Sequence, residues 1–306
     1  MLVERIHAYL RNSGKTMNEA VLDTAIGSFR YMLQRRFMQD DPFNPTGRMY
    51  TTLITHPCAR KAAYSYYGFK GEAMEPRSEI NFFCGDMVEL GVMVLARAAG
   101  CDIATPREIA RGEKMRAVYG DESISCWPDG LAQSGDTWQN IEIKKMSDYV
   151  FDRAERNHGP TDEWGYVTQA SLEVLSWRAL SDRLGLNLDI KGTLMLAVRG
   201  LTGHLAEWFL PYNEDLAQKA FARKRAVEQA APDRLPPRAF RPVTIQAKDG
   251  KKPTKNEGRK KLGMQCGYCA FKQHCWPGIN TEFERGRPVF FVEEPVQEVL
   301  IPGGTA

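Results

Sequence analysis

From Met17 to about Met38 the apolar residues Val21, Leu22, Ala25, Phe29, Leu33 and Phe37 recur every three or four positions, the period of one helix face. Asp40-Asp41-Pro42 and Asn44-Pro45 end that element, because proline has no amide hydrogen to continue it. Pro57 then opens a short helix carrying Cys58, Arg60, Lys61, Tyr64, Tyr66 and Tyr67, which Gly68 stops. Between Phe82 and Ala99, Met87, Leu90, Val94 and Ala98 share a face, so an amphipathic helix bears Glu89 on its first two turns and ends at Gly100.

The period then changes. Ser123–Ala132 and Trp138–Met146 read as strands joined by a Ser134-Gly135-Asp136 turn, and Trp164 to Leu184 reads as a long helix. Thr193–Val198 and Ala206–Leu210 are further strands, and a helix follows from about Asn213 to Ala230. Helices alternating with strands predict an α/β fold. The stretch Lys248–Lys261 holds seven basic residues against Asp249 and Glu257, with glycine and proline interspersed, and reads as a basic loop. A tail containing proline and glycine runs from Arg287 to Ala306.

Composition narrows the class of protein. With 43% hydrophobic and 26% charged residues the chain is neither disordered nor fibrous. A net charge of +3 is too mild to imply a nucleic-acid partner by itself. Glu4, Arg5 and Arg11 interrupt the apolar residues of the N-terminus, and no later run is long enough to cross a membrane. The expected setting is the cytoplasm, where seven cysteines are better explained by metal ligation or buried thiols than by disulfides.

Two constellations carry chemistry. Pro128-Asp129, twelve intervening residues and Glu142-Ile143-Lys144 place a carboxylate near the end of one strand and a carboxylate with a lysine on the next. Strand side chains alternate, so Glu142 and Lys144 share a face while Ile143 points into the core. Mg²⁺ or Mn²⁺ takes oxygen ligands, which Asp129, Glu142 and the Ile143 carbonyl supply, and Lys144 is placed to orient a water for phosphodiester hydrolysis. The second constellation is Cys266-x2-Cys269-x5-Cys275, three thiolates that need a fourth ligand from elsewhere. Cys58 suits an iron–sulfur cluster; structural zinc, with Cys58, His56 or His274 as the fourth ligand, is the alternative. Cys84, Cys101 and Cys126 have no such partners in sequence.

Through Pro128-Asp129 and Glu142-Ile143-Lys144 the chain resembles the PD-(D/E)xK nuclease superfamily. Gly85, Glu89 and Gln169 stand where nucleases similar to the RecB subgroup have a Gly-x-x-x-His helix before the motif and a glutamine helix after it; Glu89 replaces the commoner histidine. Thr55-His56-Pro57-Cys58-Ala59-Arg60-Lys61 with Tyr64 resembles the cysteine segment of CRISPR-associated iron–sulfur exonucleases and AddB-type nucleases. The resemblance spans roughly Thr51 to Pro277.

It implies a restriction-endonuclease-like core, a mixed central sheet flanked by helices, over residues 81–231. Residues 1–80 would be a helical region giving the first cluster cysteine, 232–285 the basic loop and cysteine segment, and 286–306 the tail. The implied activity is Mg²⁺- or Mn²⁺-dependent hydrolysis of DNA, exonucleolytic and on single strands or ends. Asp129 and Glu142 would hold metal, Glu89 would assist and Gln169 would touch the backbone or a water. Cys58, Cys266, Cys269 and Cys275 would hold a 4Fe–4S cluster, and Arg60 and Lys61 would contact DNA phosphates, with the tyrosines beside them either stacking on bases or packing in the core. A non-catalytic DNA-binding or assembly subunit of a recombination or CRISPR-related complex is the rival reading.

Overall fold

The computed structural model describes residues 1–12, 16–37, 47–73, 75–110, 112–134, 136–246, 256–284 and 287–292. The expected helix stop at Asp40–Pro45, Gly135 of the predicted turn, Lys248, Lys251, Lys252 and Lys255 of the basic loop, and the tail beyond Val292 lie outside the described residues.

Helices α1 (Leu2–Arg11), α2 (Glu19–Phe37), α3 (Thr51–Ile54), α4 (Ala59–Tyr66) and α5 (Pro76–Ala98) come first. The predicted 82–99 helix begins six residues earlier than its apolar face implied, because Pro76 occupies a first-turn position where no amide hydrogen is needed. Gly100 stops it at φ +74°. Cys58 caps α4 rather than lying within it. Strand β1 (Ile103–Ala104), helix α6 (Pro106–Ala110) and the hairpin β2 (Arg116–Tyr119) and β3 (Glu122–Ser125) follow.

The single strand expected over Ser123–Ala132 is two strands in different sheets. β3 pairs with β2 in a separate two-stranded sheet, and β4 (Gly130–Ser134) belongs to the main sheet. Pro128 cannot donate a ladder hydrogen bond, so the chain leaves one sheet and enters the other across Cys126–Asp129.

The main sheet has the order β1-β4-β5-β6-β7, with β5 (Thr137–Met146), β6 (Ile190–Arg199) and β7 (Leu205–Pro211). β5 and β6 are parallel and the other pairs antiparallel, so the sheet is mixed. The parallel crossover runs through α7 (Asp148–Arg156), which the apolar pattern had not revealed, and α8 (Tyr166–Leu184). α9 (Glu214–Glu228) follows β7, with Asn213 as its cap accepting from the Leu216 amide.

Each face of the sheet buries a core against helices. On one, Ile141, Ile143, Leu196 and Val198 meet Val92, Met93 and Ala96 of α5 and Leu2 and Ile6 of α1. On the other, Leu131 and Ile190 meet Val174, Trp177 and Leu180 of α8, and Met146 and Met195 meet Phe151 of α7. Among the described residues no helix is long and apolar enough to cross a membrane.

The C-terminal part forms a second, four-stranded sheet in the order β10-β11-β9-β8, from β8 (Val243–Thr244), β9 (Lys260–Lys261), β10 (Asn280–Glu284) and β11 (Arg287–Val292). The start of the expected tail is thus a strand, paired with β10 over five positions. Short helices α10 (Met264–Gly267) and α11 (Lys272–Cys275) carry Cys266 and Cys275 beside this sheet, with Cys269 in the connection between them.

Gly165 fixes where α8 begins. It sits at φ +76°, and a Cβ there would lie 2.3 Å from the Thr55 carbonyl oxygen. Left-handed strain and a backbone clash would therefore coincide. Gly165→Ala is expected to destabilise the fold by on the order of 2–4 kcal/mol, measured by urea unfolding.

Candidate functional site

The register of the β4–β5 hairpin builds the site. Gly130 pairs with Ile141, so Asp129, the residue before β4, falls beside Glu142. Its carboxylate Oδ2 accepts the Ile143 amide hydrogen at 2.6 Å. Ile143 points to the α5 side of the sheet and Glu142 and Lys144 to the α8 side, the alternation the sequence predicted. Gly130 lets α5 pack close, since a Cβ there would meet Met93 Cε at 2.9 Å. α5 brings the Glu89 carboxyl close to Asp129, so that each carboxyl acts on the other's charge.

Glu142 is 1% exposed. Its Oε1 accepts from Gln169 Nε2 at 2.8 Å and is ion-paired with the Lys144 ammonium. Its Oε2 is buried without a hydrogen-bond partner. The fold thus brings together Glu89, Asp129, Glu142, Lys144 and Gln169 from three separated stretches of sequence.

Three residues the sequence did not single out complete the cluster. Glu173, one turn after Gln169 on α8, is 1% exposed; its Oε1 accepts from Gln169 Nε2 and its Oε2 from Asn140 Nδ2, each at 2.8 Å. Asn140 Oδ1 in turn accepts from the buried Trp177 indole at 2.9 Å. Asp86, one turn before Glu89, is paired with Arg36 of α2 at 2.6 Å. The available signal was period: Asn140 shares the Glu142 face of β5, and Glu173 shares the Gln169 face of α8.

Crowded carboxylates repel one another, which favours their protonated forms. Burial, then Glu142, pushes Glu89 up to about 7. Burial, then Glu89 and Glu142, raises Asp129 well above the ordinary carboxylate range, and burial with Glu142 does the same to Glu173. Burial disfavours the Lys144 ammonium, but Glu142 and Asp129 outweigh it and its pKa is raised, so Lys144 stays charged. Four carboxyl groups thus crowd around this ammonium, and one of their oxygens is buried without a hydrogen-bond partner.

The cysteine segment closes on the N-terminal region. Glu72 pairs with Lys272, the Glu72 amide donates to Ala270 O at 2.7 Å, and Tyr64 stacks on Phe271 at 5.4 Å between ring centres. Cys58, Cys266, Cys269 and Cys275 all line one cavity open to solvent, together with His56, Arg60 and Lys61. Burial, then the other thiols, pushes Cys266 up to about 12. His274 turns instead to the Lys70 carbonyl oxygen at 2.7 Å. Burial, with Lys61 and Arg223 nearby, lowers His56 to about 3, and its Nδ1 accepts from the Cys58 amide.

Among the described residues no three His, Cys, Asp or Glu groups are drawn together tightly enough to hold a single ion. Tyr64 is 5% exposed, and Tyr66 and Tyr67 pack against the α9 core, so these tyrosines take the core role. Cys101 and Cys126 are buried and Cys84 half-buried, away from the quartet.

No family model matches the chain, and no curated protein matches it. A solved structure described as "Crystal structure of SSO0001" is similar over 81% of this chain and 94% of its own, at 13% identity and a TM-score of 0.41. A likeness at that level carries no argument about function.

Replacing one crowded carboxylate should stabilise the metal-free protein. Asp129→Asn keeps an acceptor for the Ile143 amide and removes a charge, so unfolding in EDTA is expected to show a gain of about 1 kcal/mol. A loss of stability would mean that the carboxylates are not in conflict.

Proposed function

We propose that the chain is a divalent-metal-dependent deoxyribonuclease with a restriction-endonuclease-like PD-(D/E)xK core, and that its four clustered cysteines hold a 4Fe–4S cluster. The observation that carries the reading is the buried, unpartnered Glu142 Oε2 in a cluster of carboxylates beside Lys144. A charged carboxylate is not stably buried without compensation.

Asp129, Glu142 and the Ile143 carbonyl would hold Mg²⁺ or Mn²⁺, with Glu89 assisting. The ion supplies Lewis-acid stabilisation of charge at the phosphate. Lys144, kept charged by Glu142, orients the attacking water and offsets negative charge on the phosphate oxygens. Gln169, already donating to Glu142, holds that carboxylate in place. The water oxygen bonds to phosphorus as the ester P–O bond breaks, and the leaving oxygen takes up a proton. Single-stranded DNA or DNA ends are the proposed substrates.

Four thiols face one cavity, the ligand set of a 4Fe–4S cluster. Arg60, Lys61 and Lys272 line it, which favours an anionic group. Arg60 and Lys61 would also stand where DNA phosphates could reach them beside the cluster. The cluster's role is to tie residues 58–72 to residues 266–275.

The test is digestion of end-labelled single- and double-stranded DNA by anaerobically purified protein, with Mn²⁺ or with EDTA. Cleavage is expected only with Mn²⁺, and Lys144→Ala is expected to reduce it by about 10²-fold or more. The same preparation should contain iron and acid-labile sulfide. Intact DNA in every lane would favour a non-catalytic DNA-binding subunit, and zinc without iron would remove the cluster.

A further inference from the structure

Outside the residues assigned above, the least expected group in the molecule is Glu173. It is an acid in the middle of α8, flanked by buried Leu172, Val174 and Trp177 and 1% exposed. Such a placement is costly unless each oxygen is satisfied, and each is. Oε1 accepts from Gln169 Nε2 and Oε2 from Asn140 Nδ2.

The network continues on both sides. Asn140 Nδ2 also donates to Thr193 Oγ1 at 3.0 Å, Thr193 Oγ1 donates to the Ala170 carbonyl at 3.1 Å, and Trp177 holds Asn140 Oδ1. Asn140 is therefore held by Thr193 and Trp177 and in turn fixes Glu173. At the other end, Gln169 Nε2 donates to Glu173 Oε1 and to Glu142 Oε1. A carboxylate oxygen facing that amide requires a donor, so the two acids together dictate which end of the Gln169 carboxamide faces Glu142.

We propose that Glu173 is a positioning residue: it orients the Gln169 carboxamide, which pins Glu142 Oε1 and leaves Glu142 Oε2 directed at the cation site. In this proposal Glu173 is not an ion ligand: its oxygens accept from Gln169 and Asn140, and it lies close to Glu142 behind the site. This rests on the nuclease reading for its consequence in catalysis, but the orientation of Gln169 is a property of the folded chain with or without activity.

The decisive substitution is Glu173→Gln, which preserves volume. Its single oxygen can accept from only one of the two amides, Asn140 is held by other partners, and so the new NH2 group faces Gln169. Gln169 must then either turn its oxygen toward Glu142 or let go. A residue that only filled space would tolerate this change.

Two measurements separate the possibilities. In full-length protein labelled with ¹⁵N-glutamine, the Gln169 side-chain amide, assigned by its loss in Gln169→Ala, should exchange slowly with solvent. In Glu173→Gln it should move to a solvent-like position and exchange fast. An unmoved, protected resonance overturns the proposal whatever the enzyme does.

In Mn²⁺-supported cleavage, Glu173→Gln is expected to lower kcat about 10- to 100-fold with KM for DNA unchanged, the range for removing a partner behind a metal ligand. Added to Gln169→Ala it should cost nothing further, because both act through one amide. Fully additive losses, or one fewer Mn²⁺ bound per chain, would mean that Glu173 acts directly and would overturn the positioning role. Wild-type protein that leaves DNA intact would sink the nuclease reading and leave the resonance test standing.

Discussion

A single strand pairing governs the placement of charge in this protein. Because Gly130 is opposite Ile141, Asp129 lands beside Glu142 and takes the Ile143 amide as its partner. Had the hairpin slipped by one residue, Glu142 and Lys144 would face the apolar α5 side and the two isoleucines the α8 side. The buried isoleucines therefore fix the register, and the register gathers the acids. Apolar burial on one face of β5 sets the electrostatics of the other.

That second face is unusual in how completely it is wired. Asn140, Glu142 and Lys144 lie in sequence on β5, and α8 meets them with Gln169, Glu173 and Trp177. Every link is a hydrogen bond at ordinary distance or an ion pair, and the chain of partners stops at Glu142 Oε2. Low polarity strengthens such a network where it is satisfied and penalises it where it is not. The penalty is concentrated at one oxygen, at the point where Asp129 and Glu89 also converge. The thiol quartet shows the same economy on a larger scale, since it joins segments some two hundred residues apart.

Much of this was legible in the chain. Strand alternation gave the faces of Glu142, Ile143 and Lys144, and the helical periods over Met17–Met38, Phe82–Ala99 and Trp164–Leu184 matched real helices. The cysteine spacing singled out the four thiols that share a cavity. Other features depended on contacts that a one-dimensional pattern does not contain. α7 has a one-sided apolar pattern, but it is only nine residues long and follows directly on β5, so it does not stand apart in sequence from the end of that strand. Ser123–Ala132 alternated well enough to read as one strand, and only Pro128 marked the break. Glu173 was invisible because an acid on a helix ordinarily faces water; here its partners come from β5 and from Gln169 on its own helix. Arg60 and Lys61 read as phosphate contacts beside the cysteines, and the fold does line the thiol cavity with both.

The account rests on a cation being held by Asp129 and Glu142. Anomalous diffraction from a crystal soaked in Mn²⁺ tests this most directly. The predicted result is a manganese peak within bonding reach of both carboxylates, on the Glu142 Oε2 side, that disappears in Asp129→Asn. Manganese bound elsewhere with nothing at these oxygens would contradict the account and leave the buried Glu142 oxygen without the partner proposed for it.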